Sequence, residues 1–133
     1  MKKFDVFLSH SSRDKPWATQ LAASLEKQGL TVWLDQDQIR PGDDFMKAIE
    51  RGISQCRVVV TVVDPKETSR GYQFLEAGMA IGLGKEISFV VPRKRKGSGL
   101  SVFNISKEKV VFRSSPAATA KQLIEMKKLT KDL

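Results

Sequence analysis

Two short segments of the chain combine residue types that could do chemistry. In the first, Ser9-His10-Ser11 follows the mostly apolar run 4–8 and places two hydroxyl groups beside the only histidine of the sequence. Hydroxyls can hydrogen-bond to sugar or phosphate oxygens, although a histidine beside serines is equally typical of a turn. The pattern does not indicate a Ser–His nucleophilic triad, because no acidic residue that would orient the imidazole can be identified.

The second segment carries Glu76, four residues after Tyr72 on a predicted helix, so both side chains lie on one helix face. The neighbours of Glu76, Phe74-Leu75 and Ala77-Gly78-Met79-Ala80, form an apolar setting that is unusual for a solvated charge. In a site of low dielectric, a carboxylate can stabilise positive charge that develops in a transition state. Taken alone, however, these residues favour an exposed helical glutamate, and Tyr72 is as consistent with core packing as with a binding pocket.

Strands that could position these side chains are predicted by runs of apolar and β-branched residues. Five such runs occur, at 4–8, 30–34, 58–63, 87–91 and 110–112. Residues 58–63 form a continuous β-branched run, whereas a half-buried strand would alternate with polar residues. Continuous apolarity of this kind is typical of a strand covered on both faces in a parallel sheet.

Helical patterns fill the intervals between these strands. Apolar residues recur four apart in two intervals: Trp17, Leu21 and Leu25, then Phe45, Ile49 and Ile53. We expect the first of these helices to be capped by Ser12 or Asp14 and to end at Gly29. Further helices are predicted at 69–83, ending at Gly84, and from Ser115-Pro116 onward.

Strands that alternate with helices predict right-handed βαβ units and an α/β, flavodoxin-like three-layer domain. The expected sheet is parallel and five-stranded, with order 2-1-3-4-5 and helices on both sides. A chain of 133 residues fits a single domain, 1–133. Because the chain stops just after a predicted helix, we expect it to belong to a longer protein.

This topology predicts where a ligand would bind. In a doubly wound sheet, ligands bind beyond the carboxyl ends of the strands, where the strand order reverses, here between the first and third strands. Ser9-His10-Ser11 leaves the first strand there, and Asp64-Pro65-Lys66 leaves the third. The helix that carries Tyr72 and Glu76 follows the third strand, so both polar segments point to one crevice.

Charge and cysteine content narrow the function classes. The net charge of +8 is concentrated in residues 93–96 and 121–131, without the interleaved aromatic residues of a nucleic-acid stacking surface, so nucleic-acid binding is not expected. Cys56 is the only cysteine, which excludes an internal disulfide and a thiolate metal cluster and predicts a buried apolar side chain. A cytoplasmic setting without a membrane span or a metal is expected.

Four segments in order resemble the boxes of Toll/interleukin-receptor (TIR) domains. These are the opening box 4–14, the second strand Leu30-Thr31-Val32-Trp33-Leu34-Asp35, the loop Ile39-Arg40-Pro41-Gly42, and Tyr72 and Glu76 ahead of Gly84-Lys85. The resemblance extends from Phe4 to about Leu129. Tyr72 stands where NAD-cleaving TIR domains usually have Trp.

The resemblance implies a bacterial NAD glycohydrolase in which Glu76 is catalytic. NAD contacts are expected at Ser9, His10, Ser11, Phe45 and Tyr72, although the spacing of Phe45 is also typical of a core residue. Nicotinamide leaves as a neutral molecule, so one carboxylate opposite the oxocarbenium-like ribose would suffice. No G-x-G-x-x-G loop follows the first strand, which favours NAD as a consumed substrate over a retained cofactor.

The resemblance also implies self-association through Arg40, Pro41 and Gly42, and a role as a defence effector that oligomerisation activates. Two alternatives remain open from the sequence. One is a TIR adaptor that assembles without catalysis. The other is an enzyme similar to nucleoside deoxyribosyltransferases, whose corresponding helix the segment from Glu76 to Lys85 also resembles.

Overall fold

A computed structural model of the chain describes residues 4–10, 14–34, 45–63, 78, 82–91 and 110–127. These residues contain five strands, β1 (Phe4–Ser9), β2 (Val32–Leu34), β3 (Cys56–Val62), β4 (Glu86–Val91) and β5 (Val110–Phe112). They also contain the helices α1 (Lys15–Lys27), α2 (Phe45–Ser54) and α3 (Pro116–Lys127). All strand pairs are parallel and the order is β2-β1-β3-β4-β5. The predicted flavodoxin-like α/β fold is therefore confirmed.

Helices cover both faces of the sheet, which explains why β3 is apolar at most of its positions. Val58, Val60 and Val62 lie in the apolar core that α1 and α3 share. Val59 and Val63 lie in the core on the opposite face, with Ile49 and Ile53 of α2. Since successive strand residues point to opposite faces, a central strand between two helical layers must be apolar at nearly every position.

The end of α1 is built as the glycine at position 29 predicts. The Gly29 N–H donates to the Glu26 carbonyl at 3.0 Å, and the Leu30 N–H donates to the Leu25 carbonyl at 3.3 Å. Gly29 has a φ of +90°, which costs little without a Cβ. The two bonds form a Schellman motif, and the buried Leu25 and Leu30 side chains belong to one core.

The start of α3 also follows its sequence signal. Ser115 precedes Pro116, and its Oγ accepts a hydrogen bond from the Ala118 N–H at 3.2 Å. Proline in the first helical position loses no hydrogen bond, because that N–H has no partner within the helix. The Ser114 N–H donates to Oγ1 of the buried Thr119 at 3.1 Å, so the chain is held as it enters the helix.

α2 packs unusually close to the sheet at Gly52. Beneath it, the rings of Phe7 and Trp33 are stacked, with centroids 4.7 Å apart and an interplanar angle of 12°. A Cβ at Gly52 would lie 2.8 Å from the Trp33 ring and 2.9 Å from the Phe7 ring. The residue is glycine because the helix backbone lies directly against these aromatic side chains.

Several strand boundaries differ from the prediction by one or two residues, and backbone hydrogen bonding accounts for three of these differences. β3 begins at Cys56 instead of Val58, because Cys56 pairs with Phe4 at the start of β1. β1 extends to Ser9, which pairs with Thr61. β2 is shorter than the predicted run 30–34, because the N–H of residue 30 bonds to the end of α1.

The predicted helix 69–83 is described only in part. Gly78 and Gly82 are helical, and Gly84, predicted to end the helix, has a φ of +71°. Leu83, predicted as the last helical residue, lies in a turn, and residues 69–77 and 79–81 lie outside the described part of the chain. None of the helices that the structure describes is long and apolar enough to cross a membrane.

Candidate functional site

The strand order reverses at β1, as the sequence predicts. β2 lies on one side of β1 and β3 on the other, so the connections from these strands diverge at the β1–β3 boundary. At the carboxyl ends of this pair, Ser9 is directly opposite Thr61. A crevice between diverging connections is where doubly wound folds bind ligands.

Ser9 and His10 are both completely buried. Ser9 shares a strand face with Phe7, two residues earlier, so it points to the side of the sheet that α2 covers. His10 follows directly after β1, and its burial rules out a solvent-exposed turn position. The structure thus brings these two predicted site residues together at the carboxyl edge, beneath its surface.

Thr61 is a buried polar residue at this edge that the sequence analysis did not single out. It is completely buried, and its Oγ1 makes no hydrogen bond within the structure. Ser88 of β4 has the same property, but it pairs with Val60 and so faces the opposite side of the sheet. A buried hydroxyl without a partner costs free energy, so such groups often mark functional positions. The only signal in the sequence was a threonine within a valine run.

A second missed feature links the starts of α1 and α3. Nη1 of Arg113 lies 2.8 Å from Oδ1 of Asp14, and its guanidinium lies over the Trp17 ring, 4.3 Å from the centroid. Nε1 of Trp17 donates to the Ser114 carbonyl at 3.2 Å. Asp14 occupies the predicted N-cap position of α1, yet its side chain makes no capping hydrogen bond.

The remaining predicted site residues are only partly covered. Phe45 is the first residue of α2, and its side chain lies outside the described part. The other six lie wholly outside the described residues: Ser11, Arg40, Pro41, Gly42, Tyr72 and Glu76. The structure describes no group of three or more side chains, among those it covers, that could hold a metal ion.

Lys85, part of the TIR-like pattern, lies at the opposite edge of the sheet. It precedes β4, and its Nζ donates to the Ser54 carbonyl at 3.1 Å. Ser54 is the last residue of α2, where free carbonyls and the helix dipole favour a cation. This lysine therefore stabilises the end of α2 and does not belong to the carboxyl edge.

Cys56 is also at the amino edge, buried as predicted, and its Sγ donates to the Gly52 carbonyl at 3.1 Å. Burial raises the pKa of the Cys56 thiol from 9.0 to about 12, because the thiolate would lose its hydration. Lys85 lowers this pKa and Asp5 raises it, both by smaller amounts. The thiol is therefore a packing group and not a nucleophile at neutral pH.

Comparison with known proteins relates this architecture to a family. The chain is 31% identical over 72 residues to the 2' cyclic ADP-D-ribose synthase BtTIR of Bacteroides thetaiotaomicron, covering 53% of this chain and 25% of that protein. It is 35% identical over 60 residues to the NAD(+) hydrolase PdTIR of Paracoccus denitrificans, covering 44% of this chain and 20% of that protein. The matched segments therefore span a quarter or less of these two relatives.

The fold also resembles that of a solved nucleotide-cleaving enzyme. The CMP N-glycosidase BcmB of Clostridium botulinum superposes with a TM-score of 0.62 over 90% of this chain and 97% of that one, at 21% identity. The family model described as TIR domain matches residues 6–124, from the first strand to the last helix. With that match across nearly its whole length, and with the strand order found here, the chain belongs to the TIR domain family.

Proposed function

We propose that this TIR domain cleaves NAD between nicotinamide and ribose, releasing nicotinamide and ADP-ribose or a cyclic isomer. The observation that carries the proposal is that the strand order reverses at the β1–β3 boundary. The chain that leaves β3 leads into the segment with Glu76, so motif and topology point to one crevice. The names of the Bacteroides and Paracoccus relatives support the same substrate class.

In this proposal, Glu76 acts by charge. Cleavage of the N-glycosidic bond passes through a state with positive charge on the ribose, and a nearby carboxylate in a site of low dielectric lowers its free energy. The bond between ribose C1 and the pyridine nitrogen breaks, and its electron pair neutralises the pyridinium. Water then adds to C1 and loses a proton, or a hydroxyl of the same molecule closes a ring. NAD is consumed, so no retained cofactor is required.

The other predicted contacts have supporting roles. Ser9 and His10 lie buried at the carboxyl edge. We propose that they contact NAD there together with Ser11, Phe45 and Tyr72. Arg40, Pro41 and Gly42 are proposed to mediate self-association. The expected setting is a cytoplasmic defence effector in which this domain, 1–133, is one part of a longer protein.

The decisive experiment replaces Glu76 with Gln, which keeps the size of the side chain and removes its charge. We expect cleavage of NAD to fall by about two to three orders of magnitude, with NAD binding weakened far less. Glu50→Gln, on the exposed face of α2, is the matched control and should leave the rate unchanged. Products are resolved by chromatography, using protein at high concentration so that it can oligomerise.

The same assay separates the alternatives. A folded Glu76→Gln variant with near-normal turnover would refute the mechanism. If the unaltered protein cleaves no NAD even when forced to oligomerise, the adaptor alternative is favoured. CMP is included as a second substrate because the Clostridium protein with this fold is a CMP N-glycosidase. Cleavage of CMP but not NAD would overturn the proposed substrate and indicate a nucleotide N-glycosidase instead.

A further inference from the structure

We infer that Arg113 is a positioning residue for the candidate site, which holds the first turn of α1 in place beside the carboxyl end of β1. The inference deepens the proposed function, on which its kinetic consequences rest. Arg113 is not expected to touch the substrate. It acts through Asp14, the cap residue that precedes α1, and through Trp17 in the first turn of α1. Asp14 is the first described residue after the buried Ser9 and His10.

Three different interactions join the two segments. An ion pair of 2.8 Å binds Arg113 to Asp14, a cation–π contact places its guanidinium over Trp17, and the Trp17 indole donates to the Ser114 carbonyl. A planar guanidinium suits this position because it can pair with a carboxylate and stack on an indole together. Lysine could supply the charge but not the stacked plane.

Hydrogen bonds fix the backbone of Arg113 and of the residue after it. Its backbone N–H donates to the Val91 carbonyl at 2.7 Å, which anchors it to the end of β4. The next residue, Ser114, donates its N–H to the buried Thr119 hydroxyl of α3. β3 and β4 lie between β1 and β5 in the sheet. The Arg113–Asp14 ion pair therefore ties the start of α1, which follows β1, to the segment that follows β5.

The charge of Asp14 gives the arrangement a functional consequence. An aspartate at an N-cap usually accepts a hydrogen bond from the first turn, but this side chain makes none and faces Arg113 instead. Its side chain is only 7% exposed. Without the arginine, this nearly buried carboxylate would lose its ion pair with Arg113 near the proposed crevice, and its charge would repel the diphosphate of NAD more strongly.

A matched pair at the opposite edge isolates this effect. Arg57 of β3 pairs with Asp5 of β1 at 3.0 Å, and both side chains are about a quarter exposed or less. This pair also joins an arginine to an aspartate on a different element. This pair lies at the amino ends of the strands. It is therefore the same kind of ion pair as Arg113–Asp14, but it lies far from the proposed crevice.

The test compares Arg113→Gln with Arg57→Gln in the full chain. We expect similar losses of thermal stability. We also expect about a tenfold higher KM for NAD in Arg113→Gln alone, with a smaller change in kcat. Arg113→Lys should raise the KM less than Arg113→Gln does, because lysine keeps the positive charge but has no planar guanidinium to stack on Trp17. Equal KM changes in the Arg113 and Arg57 variants would overturn the inference.

Amide hydrogen exchange gives a readout that does not depend on NAD. Exchange at the backbone amides of residues 18–21, the first in α1 with hydrogen-bond partners inside the helix, should be faster in Arg113→Gln and unchanged in Arg57→Gln. If the unaltered protein cleaves no NAD, the proposed function fails, and this exchange measurement still judges the positioning role. Unchanged exchange in Arg113→Gln would then overturn the inference.

Discussion

Polar side chains at the amino edge of this sheet and those at its carboxyl edge differ in their hydrogen-bond and ion-pair partners. At the amino edge, the Asp5 carboxylate accepts the Thr31 N–H at 2.9 Å and pairs with Arg57 at 3.0 Å. These partners come from neighbouring strands or the turns before them. At the carboxyl edge, Asp14 pairs with an arginine 99 residues away, and the Thr61 hydroxyl is buried without a hydrogen bond.

From this difference we propose that stability and function depend on opposite edges of the sheet. Groups at the amino edge satisfy one another locally, as expected where only the fold has to be maintained. The Thr61 hydroxyl, buried at the carboxyl edge without a hydrogen bond among the described residues, costs free energy, which is typical of positions retained for binding or catalysis. The three predictions below test this division, from the largest expected effect to the smallest.

Gly52→Ala should destabilise the fold most, because it inserts a methyl group between α2 and the stacked Phe7 and Trp33 rings. We expect a loss of about 2 kcal/mol in the free energy of unfolding, measured in urea. Gly82→Ala is the control, since a Cβ at this helical glycine meets nothing within 4 Å. That change should gain roughly 0.5 kcal/mol. Equal effects of the two changes on the free energy of unfolding would show that α2 can move away from the sheet at little cost.

The raised pKa of Cys56, at the amino edge, predicts that the free energy of unfolding falls at high pH. Because its folded pKa, about 12, lies above the unfolded value of 9.0, its stabilising contribution is complete below pH 9 and is lost as the pH rises towards 12. By pH 10 the loss should be about 1 kcal/mol. Unfolding in urea at pH 8 and pH 10 measures it, with Cys56→Ala as the reference. The same pH slope in that variant would assign the loss to other groups.

Thr61→Val should have the smallest effect on stability and the opposite sign. The change removes a buried hydroxyl that makes no hydrogen bond, so unfolding should become up to about 1 kcal/mol less favourable. Ser88→Ala, on the opposite face of the sheet, removes a second such hydroxyl among the described residues for comparison. A clear loss of stability in Thr61→Val would mean that its hydroxyl has a bound partner, such as a water, and would weaken the contrast between the edges.

The elements of the fold follow from local sequence. Runs of β-branched residues predict the strands, and the continuous run 58–63 correctly indicates a strand with helices on both sides. Gly29 and Ser115-Pro116 mark helix ends through conformational preferences that need no distant partner. The strand order follows from the alternation of strands and helices, because few topologies satisfy parallel pairing with right-handed crossovers.

The candidate site is predictable only in part. The reversal of strand order and the position of Ser9 and His10 at the carboxyl edge agree with the sequence analysis. Burial of both residues was not predicted, since a short polar segment after a strand is usually exposed. The role of Glu76 stays a prediction that rests on the TIR motif.

Local sequence is enough to predict the strands, the helices and the TIR family, since all three depend on residues near one another along the chain. The tertiary structure alone decided which distant side chains meet. Asp14 has the residue type of a helix cap, yet its carboxylate turns to Arg113 because the packing of α1 against α3 brings them together. Lys85 donates to the end of α2 because β4, which it precedes, pairs with β3, which follows α2. Such contacts depend on the assembled sheet, which no local pattern encodes.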